Sequence, residues 1–231
     1  IAGRMVWEAI ADPITDLQVS LSLGDAASVQ RMRWDGALAA PWWPTSQWTA
    51  GDRWSGTTWI RLPGSLETGD YALELSLGEC ALATGSLRVE APVRRYRVPA
   101  GLAPMDVVLG DTVRLAGVSE LPAVVPPGSS LTVALAWEAL YEMPVSYRVF
   151  VHFVTDDGLI LAQSDGEPVD WTRPTTGWAV GEVVVDQRSL RVPDGTTGAA
   201  ELRVGLYDPA GTRLLTASGD DAIVLTRLEV Q

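Results

Sequence analysis

The sequence has no lysine, a single cysteine, a single histidine and no long apolar run. All seventeen basic residues are arginine, against 29 acidic residues, which gives a formal net charge of −12. An acidic chain without a basic cluster repels phosphate backbones, so no nucleic acid partner is expected. A single cysteine, Cys80, excludes an internal disulfide. With only one histidine besides, His152, no transition-metal centre is expected, and no cofactor is expected either. No apolar stretch approaches the roughly 20 residues that span a bilayer, so no membrane insertion by this segment is expected.

The sequence does contain an internal repeat with a period of 130 residues. The segment 7–63 aligns with 137–193 without a gap and shares 12 of its 57 residues. The repeated residues include four tryptophans at equivalent positions: Trp7 and Trp137, and Trp48 and Trp178. A fixed long period indicates a duplicated structural unit. Residues common to both copies are therefore interpreted as architecture, and a special function is expected where the copies differ.

Apolar and polar residues alternate along several short runs, among them 17–23, 71–77 and 202–206. Between such runs lie turn signals rich in Pro, Gly and Asp, for example 126–128 and 156–158. Short alternating runs separated by turns are typical of antiparallel β-sandwiches. The sequence thus predicts an all-β fold, made of two tandem immunoglobulin- or fibronectin-III-like antiparallel β-sandwiches.

Domain boundaries follow from the repeat and from a Pro/Gly-rich stretch between the copies. We expect a first β-sandwich over 1–92, a linker over 93–104 and a second β-sandwich over 105–231. The first copy has no counterpart of the strand predicted at 112–118 in the second copy. It therefore lacks its N-terminal strand, and this chain is expected to begin inside a domain.

Loss of an opening strand uncovers a sheet edge and part of a core. Ile1, Met5 and Trp7 lie in the first strand that remains and are candidate interface residues. Three explanations stay open at this point. The chain is a fragment of a longer polypeptide, or the first copy is a closed variant, or another subunit donates the missing strand by β-augmentation.

Titratable residues give no catalytic pattern. His152 lies in the middle of a predicted strand, where a structural role fits better than a place in a Ser-His-Asp triad. Carboxylates are plentiful, but in predicted turns Asp is expected for backbone reasons alone. Hard oxygen ligands in loops suit calcium, so four residues are candidate ligands although no spaced Asp-x-Asp-x-Asp loop appears: Asp156, Asp157, Asp220 and Asp221. No enzymatic activity is predicted.

Tryptophan is the most informative residue type that remains, because six of the ten occur in one copy only. Trp42, Trp43 and Trp171 lie in the loop just before the repeated Pro-Thr motif. The odd spacing of Trp54 and Trp59 places them on opposite faces of a predicted strand, so at least one is expected to be exposed. These five indoles are candidate ligand-binding residues. Three roles suit them: local packing over the end of a sandwich, burial at an interface, or stacking on a sugar ring.

Three motifs of the second copy are similar to those of a known family. Residues 147–154 resemble an FVHLxD strand, 174–186 resemble a PTxxWxPGExxxD signature, and 202–209 resemble an LxVGLYDP strand and turn. The family is the C-terminal extracytoplasmic tandem β-sandwich module of Chloroflexota-type membrane proteins, which are often mannosyltransferase-like glycosyltransferases. The resemblance implies a β-sandwich fold and a cell-surface location, and it implies no catalytic residue.

The sequence therefore predicts a non-catalytic extracytoplasmic structural or interaction module, as the C-terminal part of a larger surface or membrane-anchored protein. A protein partner or self-association is expected. Two alternatives belong to other classes. One is a carbohydrate-binding module that uses the loop tryptophans on a glycan. The other is a self-assembling filament or surface-layer subunit with strand complementation.

Overall fold

The computed structural model describes all residues, 1–231, and consists almost entirely of β-strands and turns. Its only helical segments are two single 3-10 turns, Thr45–Gln47 and Thr175–Gly177. No helix has the length and apolarity needed to cross a membrane. The chain divides into two compact units, Ile1–Pro92 and Val93–Gln231, named unit 1 and unit 2 below.

Unit 1 contains six strands in two antiparallel sheets. The strands are β1 (Ala2–Glu8), β2 (Gln18–Gly24), β3 (Gln30–Ala37), β4 (Arg53–Trp59), β5 (Gly69–Leu77) and β6 (Cys80–Val89). β1 and β4 form a sheet of only two strands. The other four strands form the second sheet in the order β3-β2-β5-β6.

Unit 2 contains nine strands in two larger sheets. The strands are β7 (Leu102–Leu109), β8 (Val113–Ser119), β9 (Val124–Val125), β10 (Ser130–Ala139), β11 (Arg148–Thr155), β12 (Ile160–Gly166), β13 (Val183–Arg191), β14 (Gly198–Tyr207) and β15 (Ile223–Val230). The sheet orders are β13-β10-β8-β7 and β12-β11-β14-β15-β9. Every pairing is antiparallel except the short parallel contact of β9 with β15. The period-two pattern thus correctly predicted an all-β fold built from antiparallel sheets.

The strands of unit 1 correspond to β10, β11, β12, β13, β14 and β15 of unit 2, in that order. β7 and β8 have no counterpart in unit 1. The opening strand expected at 112–118 is β8, but β7 precedes it and begins within the expected linker. Pro104 lies within β7, which is tolerated because β7 is the edge strand of its sheet and carries an irregularity after Pro104. The segment before β7 also belongs to unit 2, since the Arg95 carbonyl accepts a hydrogen bond of 2.7 Å from the Val183 N–H.

The repeated Pro-Thr-x-x-Trp motif is architecture in both units. Thr45 Oγ1 accepts a hydrogen bond from the Leu17 N–H, and Thr175 Oγ1 accepts the equivalent bond from the Tyr147 N–H. The indole N–H groups of Trp48 and Trp178 also donate equivalent bonds, to the carbonyls five residues earlier. Both indoles are buried, so the motif fixes the end of each sandwich through the same contacts.

The cores of the two units differ in continuity. In unit 2 a single cluster joins 24 buried apolar residues from both sheets and includes the fully buried Trp137. In unit 1 the buried apolar residues fall into two separate clusters, of seven and of four residues. Trp7, the counterpart of Trp137, is only partly buried.

Candidate functional site

The most unusual backbone of the molecule lies in the loop between β12 and the second Pro-Thr motif. Val169, Asp170 and Trp171 are consecutive non-glycine residues with φ of 54°, 49° and 67°. A left-handed conformation brings Cβ close to the next carbonyl and costs about 1–2 kcal/mol per residue. Residues held in such conformations cluster at functional sites, so an observed outlier motivates a hypothesis of function. We call residues 167–173 the Trp171 loop.

A buried ion pair on β13 holds this loop in place. Asp186 Oδ1 accepts the Val169 N–H at 2.8 Å, and Asp186 Oδ2 accepts a bond of 2.7 Å from Arg188 Nε. Arg188 Nη2 in turn donates to the carbonyls of Gly166 and Glu167, each at 2.9 Å. Both side chains are buried, so each charge depends on the other and on these carbonyls. The strain of the loop is thus balanced by contacts from a neighbouring strand.

The loop presents the indole of Trp171 to solvent. Trp171 is 57% exposed, and the Arg148 guanidinium lies over its ring at 5.3 Å from the centroid. This is the geometry of a cation–π contact between a guanidinium and an indole face. Gly166 permits this packing, because a Cβ at that position would meet Trp171 Nε1 at 3.0 Å.

The side of the sheet that carries Arg148 also carries a small cavity. Arg148, Phe150 and His152 are every second residue of β11, so their side chains lie on one side of the sheet. Arg148 pairs with Tyr207 of β14. We call this side, opposite the core residues of β11, the outer face. The cavity has a volume of about 200 Å³ and is lined by Phe150, His152, Asp165, Tyr207, Gly211 and Arg213.

Polar and aromatic groups around the cavity are fixed by mutual contacts. His152 Nε2 and Asp165 Oδ1 are 3.0 Å apart and share a hydrogen bond. The ring of Phe150 lies over Gly205, where a Cβ would meet it at 2.5 Å. The Arg213 guanidinium lies over the same ring, at 4.4 Å from its centroid. The result is a preorganised set of donors, acceptors and aromatic surface.

A wider concavity of about 720 Å³ lies along the turn 216–222 of unit 2. Arg203 of the outer face and Val224 line its sheet side, and Asp220 and Asp221 line its turn side. The turn is closed on itself by short bonds, including that from Ser218 Oγ to Asp220 Oδ2 at 2.5 Å. No aromatic side chain lines this concavity, so it offers no stacking surface.

The candidate tryptophans separate into two groups. Trp42 and Trp59 are 84% and 80% exposed, and Trp171 is exposed as described. Trp43 is partly buried and packs on Trp48 with ring centroids 5.1 Å apart. Trp54 is also partly buried, and it points to the inner side of β4 against the core. Trp43 and Trp54 therefore contribute to local packing and are less exposed than Trp42, Trp59 and Trp171.

The four calcium candidates do not form a metal site. No group of three or more His, Cys, Asp or Glu side chains is placed to hold a metal ion. Asp156 pairs with Arg227, and Asp221 pairs with Arg213 at 2.8 Å. Asp157 accepts a hydrogen bond from the Thr155 hydroxyl, which holds the pKa of Asp157 below its ordinary value. These carboxylates cap turns and pair with arginine.

The candidate interface residues all lie at β1. The Ile1 nitrogen donates to the Ile60 carbonyl at 2.7 Å, and the Ile60 N–H donates to the Ile1 carbonyl at 2.8 Å, so the β1–β4 pairing extends to these two residues. Met5 and Trp7 are partly buried on the inner side of β1, and Trp7 packs against the smaller core cluster of unit 1. β4 is the only strand that pairs with β1.

Sequence reasoning did not find the residues that shape the Trp171 loop. Asp186 closes the signature at 174–186 and Arg148 lies within the motif at 147–154, but neither motif predicts a contact with this loop, and Arg188 lies in no motif. One signal was available, because glycine and threonine stand in unit 1 where Asp186 and Arg188 stand in unit 2. Once the two copies are aligned, these positions are among those where the copies differ, which is where a special function is expected.

No protein-family model and no curated protein matches the chain. Among solved structures it is similar to the C-terminal domain of Wzt, a β-rich domain, with 18% identity and a TM-score of 0.41, over 57% of this chain and 81% of that one. It is also similar to a glycosyl hydrolase family 2 member from Bacteroides cellulosilyticus, with 8% identity and a TM-score of 0.29. This match covers 92% of this chain and 26% of the hydrolase. A β-glycosidase from Bacteroides vulgatus matches with 10% identity and a TM-score of 0.23, over 98% of this chain and 24% of the glycosidase. The chain spans about a quarter of each glycosidase, and these similarities are too distant to carry a functional argument.

Proposed function

We propose that this chain is a non-catalytic binding module of the cell surface and that its second unit binds a saccharide at Trp171. The observation that carries the proposal is the strained Trp171 loop. A buried ion pair stabilises three left-handed residues, and the result is an exposed indole in a fixed position. A conformation of this cost is expected to persist where it serves a function.

A sugar ring suits the chemistry of this surface. One face of a pyranose is lined by C–H groups that pack on an indole, while its hydroxyls need donors and acceptors at the rim. Arg148 supplies donors beside the indole, and its pair partner Tyr207 leads to the cavity. There His152, Asp165 and Arg213 offer further polar groups. At about 200 Å³ the cavity has room for a single small group of a longer ligand.

The absence of catalysis is part of the proposal. The titratable groups near the cavity are engaged with each other, as in the pair of His152 and Asp165 and the pair of Arg213 with Asp221. Such pairs suit a rigid recognition surface. The location outside the cytoplasm rests on the resemblance of residues 147–154, 174–186 and 202–209 to a surface module, as does membership of a larger surface protein.

The proposal is tested by binding of the full chain to an array of neutral and acidic oligosaccharides, followed by calorimetry on each oligosaccharide that binds. Trp171→Ala is expected to weaken binding by about 30-fold, since a central aromatic contact contributes at least about 2 kcal/mol. Arg148→Gln is expected to weaken it by a smaller factor, because the hydrogen-bond donors are only partly replaced.

Trp59→Ala is the matched control, because Trp59 is exposed like Trp171 but lies on the regular strand β4 of unit 1. It is expected to leave the affinity unchanged. Binding of no oligosaccharide, or equal loss of affinity on Trp59→Ala and Trp171→Ala, would contradict the proposal.

A further inference from the structure

The small cavity on the outer face of unit 2 combines a hydrogen-bond donor, a hydrogen-bond acceptor and an aromatic wall. Arg213 supplies the donor, Asp165 the acceptor and Tyr207 the wall. We propose that this cavity binds the acetamido group of an N-acetylated sugar unit. The inference rests on the proposed function, because it takes a neighbouring unit of the same saccharide to stack on Trp171.

Both charged side chains of the cavity already have a partner in the chain. The Asp165 carboxylate shares a hydrogen bond of 3.0 Å with His152, and Arg213 Nη1 donates to Asp221 Oδ2 at 2.8 Å. An anionic ligand group would face the Asp165 carboxylate, and a cationic one would face the Arg213 guanidinium. Like charges placed together oppose binding, so the cavity favours a neutral group.

Hydrogen-bonding capacity remains on both of these side chains. Asp165 uses one carboxylate oxygen on His152, and its other oxygen takes part in no hydrogen bond within the chain. The Arg213 guanidinium carries several N–H donors and no acceptor, and only one nitrogen donates to Asp221. A neutral ligand group that both donates and accepts therefore satisfies the two side chains. Among the common substituents of a sugar, the hydroxyl and the acetamido group meet this condition.

The aromatic side chains of the cavity distinguish these two substituents. Phe150 is only 1% exposed and forms the floor, whereas Tyr207 is partly exposed, with its ring centroid 6.3 Å from that of Phe150. A hydroxyl has no apolar part to place against Tyr207. The methyl of an acetamido group does, and its burial there is favourable. At about 200 Å³ the cavity has room for a group of this size.

A short stretch of β11 separates the stacking surface from the cavity. Arg148, which lies over the indole of Trp171, and Phe150 are two residues apart, which is about 7 Å along a strand. Arg148 also pairs with Tyr207 of the cavity wall. Adjacent units of a saccharide repeat over a similar length. A saccharide with one ring on Trp171 therefore brings its next unit to the cavity.

Unit 1 has the same carboxylate in different surroundings. Asp35 corresponds to Asp165, and the two lie opposite Ser20 and Phe150 in their sheets. Ser20 Oγ donates to Asp35 Oδ1 at 2.5 Å, and Arg33 Nε donates to the same oxygen at 3.0 Å. Serine thus engages the acceptor and provides no aromatic floor. Recognition of an acetamido group is therefore expected of unit 2, and Asp35 offers a matched control.

The test uses the full chain and pairs of oligosaccharides that differ only in bearing an acetamido or a hydroxyl group at the same ring carbon. Chitotriose, in which every unit is N-acetylated, and cellotriose are one such pair. Calorimetry measures the affinity for each member. We expect chitotriose to bind about tenfold more tightly than cellotriose, the factor that one net hydrogen bond supplies.

Two variants test the polar side chains of the cavity. Asp165→Asn and Arg213→Gln are each expected to lower the preference for chitotriose to roughly threefold or less, since each alters one hydrogen bond to the acetamido group. Asp35→Asn is the matched control and is expected to leave the preference unchanged. Trp171→Ala is expected to weaken both trisaccharides by a similar factor, because stacking does not depend on the acetamido group. Unchanged far-ultraviolet circular dichroism verifies that the variants are folded.

Equal affinity for the two members of every pair, with binding lost on Trp171→Ala, would overturn this inference and leave the proposed function intact. An unchanged preference in both Asp165→Asn and Arg213→Gln would also overturn it. So would equally tight binding of a peptide that carries an N-acetylated lysine, because the acetamido group would then be recognised without a stacked sugar ring. If no oligosaccharide binds, the inference and the proposed function both fail.

Discussion

The two units share one framework and differ in the loop that precedes it. In unit 2 the residues 169–171 are left-handed and fixed by Asp186 and Arg188, whereas the corresponding residues 39–41 of unit 1 have ordinary φ angles. Both units nevertheless form the same Pro-Thr and indole hydrogen bonds. The sandwich therefore does not require the strain. A feature that costs stability and is absent from the other copy is a better guide to function than any residue that both copies share.

A second difference between the units concerns the size of their sheets and the continuity of their cores. Unit 2 has two sheets of four and five strands around a continuous core, whereas unit 1 has sheets of two and four strands around a divided one. The same tryptophan is fully buried in the first case and partly buried in the second. Equivalent substitutions in the two units are therefore expected to have unequal effects.

The largest difference is expected at the repeated tryptophan of β1 and β10. Trp137→Ala leaves a large cavity and is expected to lower the free energy of unfolding of unit 2 by about 4 kcal/mol. Trp7→Ala is expected to cost unit 1 about half as much, because part of the indole surface is already accessible. Hydrogen exchange followed by mass spectrometry reports each unit separately. Equal losses of unfolding free energy in the two units would contradict the expectation that the divided core of unit 1 depends less on this tryptophan.

A somewhat smaller effect is expected at the buried ion pair. Asp186→Ala leaves the Arg188 charge buried without its carboxylate and frees the Val169 N–H, at an expected cost of about 3 kcal/mol in unit 2. The exposed pair of Asp70 with Arg88 in unit 1 is the control, and Asp70→Ala is expected to cost well below about 1 kcal/mol. Chemical denaturation measures both. If Asp186→Ala kept full stability together with the left-handed loop, the loop would have another support.

A gain of stability is expected when counterparts of β7 and β8 are added to unit 1. A copy of residues 102–130 placed ahead of Ile1 supplies both strands. The added strands are expected to stabilise unit 1 by about 2 kcal/mol, the value of burying one large apolar side chain. For a unit of this size the Tm rises by roughly 10 °C, which calorimetry detects. The same graft with Leu115→Asp in the added copy is expected to give no gain.

The smallest effect concerns the carboxylates that cap equivalent hairpin turns. The Thr155 hydroxyl lowers the pKa of Asp157, whereas the Val29 N–H is the foremost cause of the lowered pKa of Asp25. Because both values lie below the ordinary Asp pKa of about 3.9, each carboxylate stabilises its turn above that pH and loses this contribution as the pH falls through the lowered pKa. Thr155→Val is expected to raise the pKa of Asp157 and to leave that of Asp25 unchanged. Carboxyl NMR titration measures both.

Periodicity predicted the fold class because alternation of apolar and polar residues is a local property of the sequence. Neither periodicity nor the repeat predicted that β7 starts within the expected linker, since Pro104 is usually read as a strand breaker and only the edge position permits it. Nor did they distinguish Trp43 from Trp171, which occupy equivalent loops. The conformation at Trp171 depends on Asp186, whose contact with Val169 crosses 17 residues and leaves no local pattern.

The left-handed run also has a consequence for how this sequence can change. Glycine adopts positive φ without steric cost, so Val169→Gly relieves strain that a β-branched side chain creates. Valine and aspartate codons each lie a single nucleotide change from a glycine codon. Selection for stability alone would therefore reach glycine at Val169 or Asp170 easily. Natural variants with glycine there, if they retain a tryptophan at the position of Trp171, would mark lineages in which a rigid indole has ceased to matter.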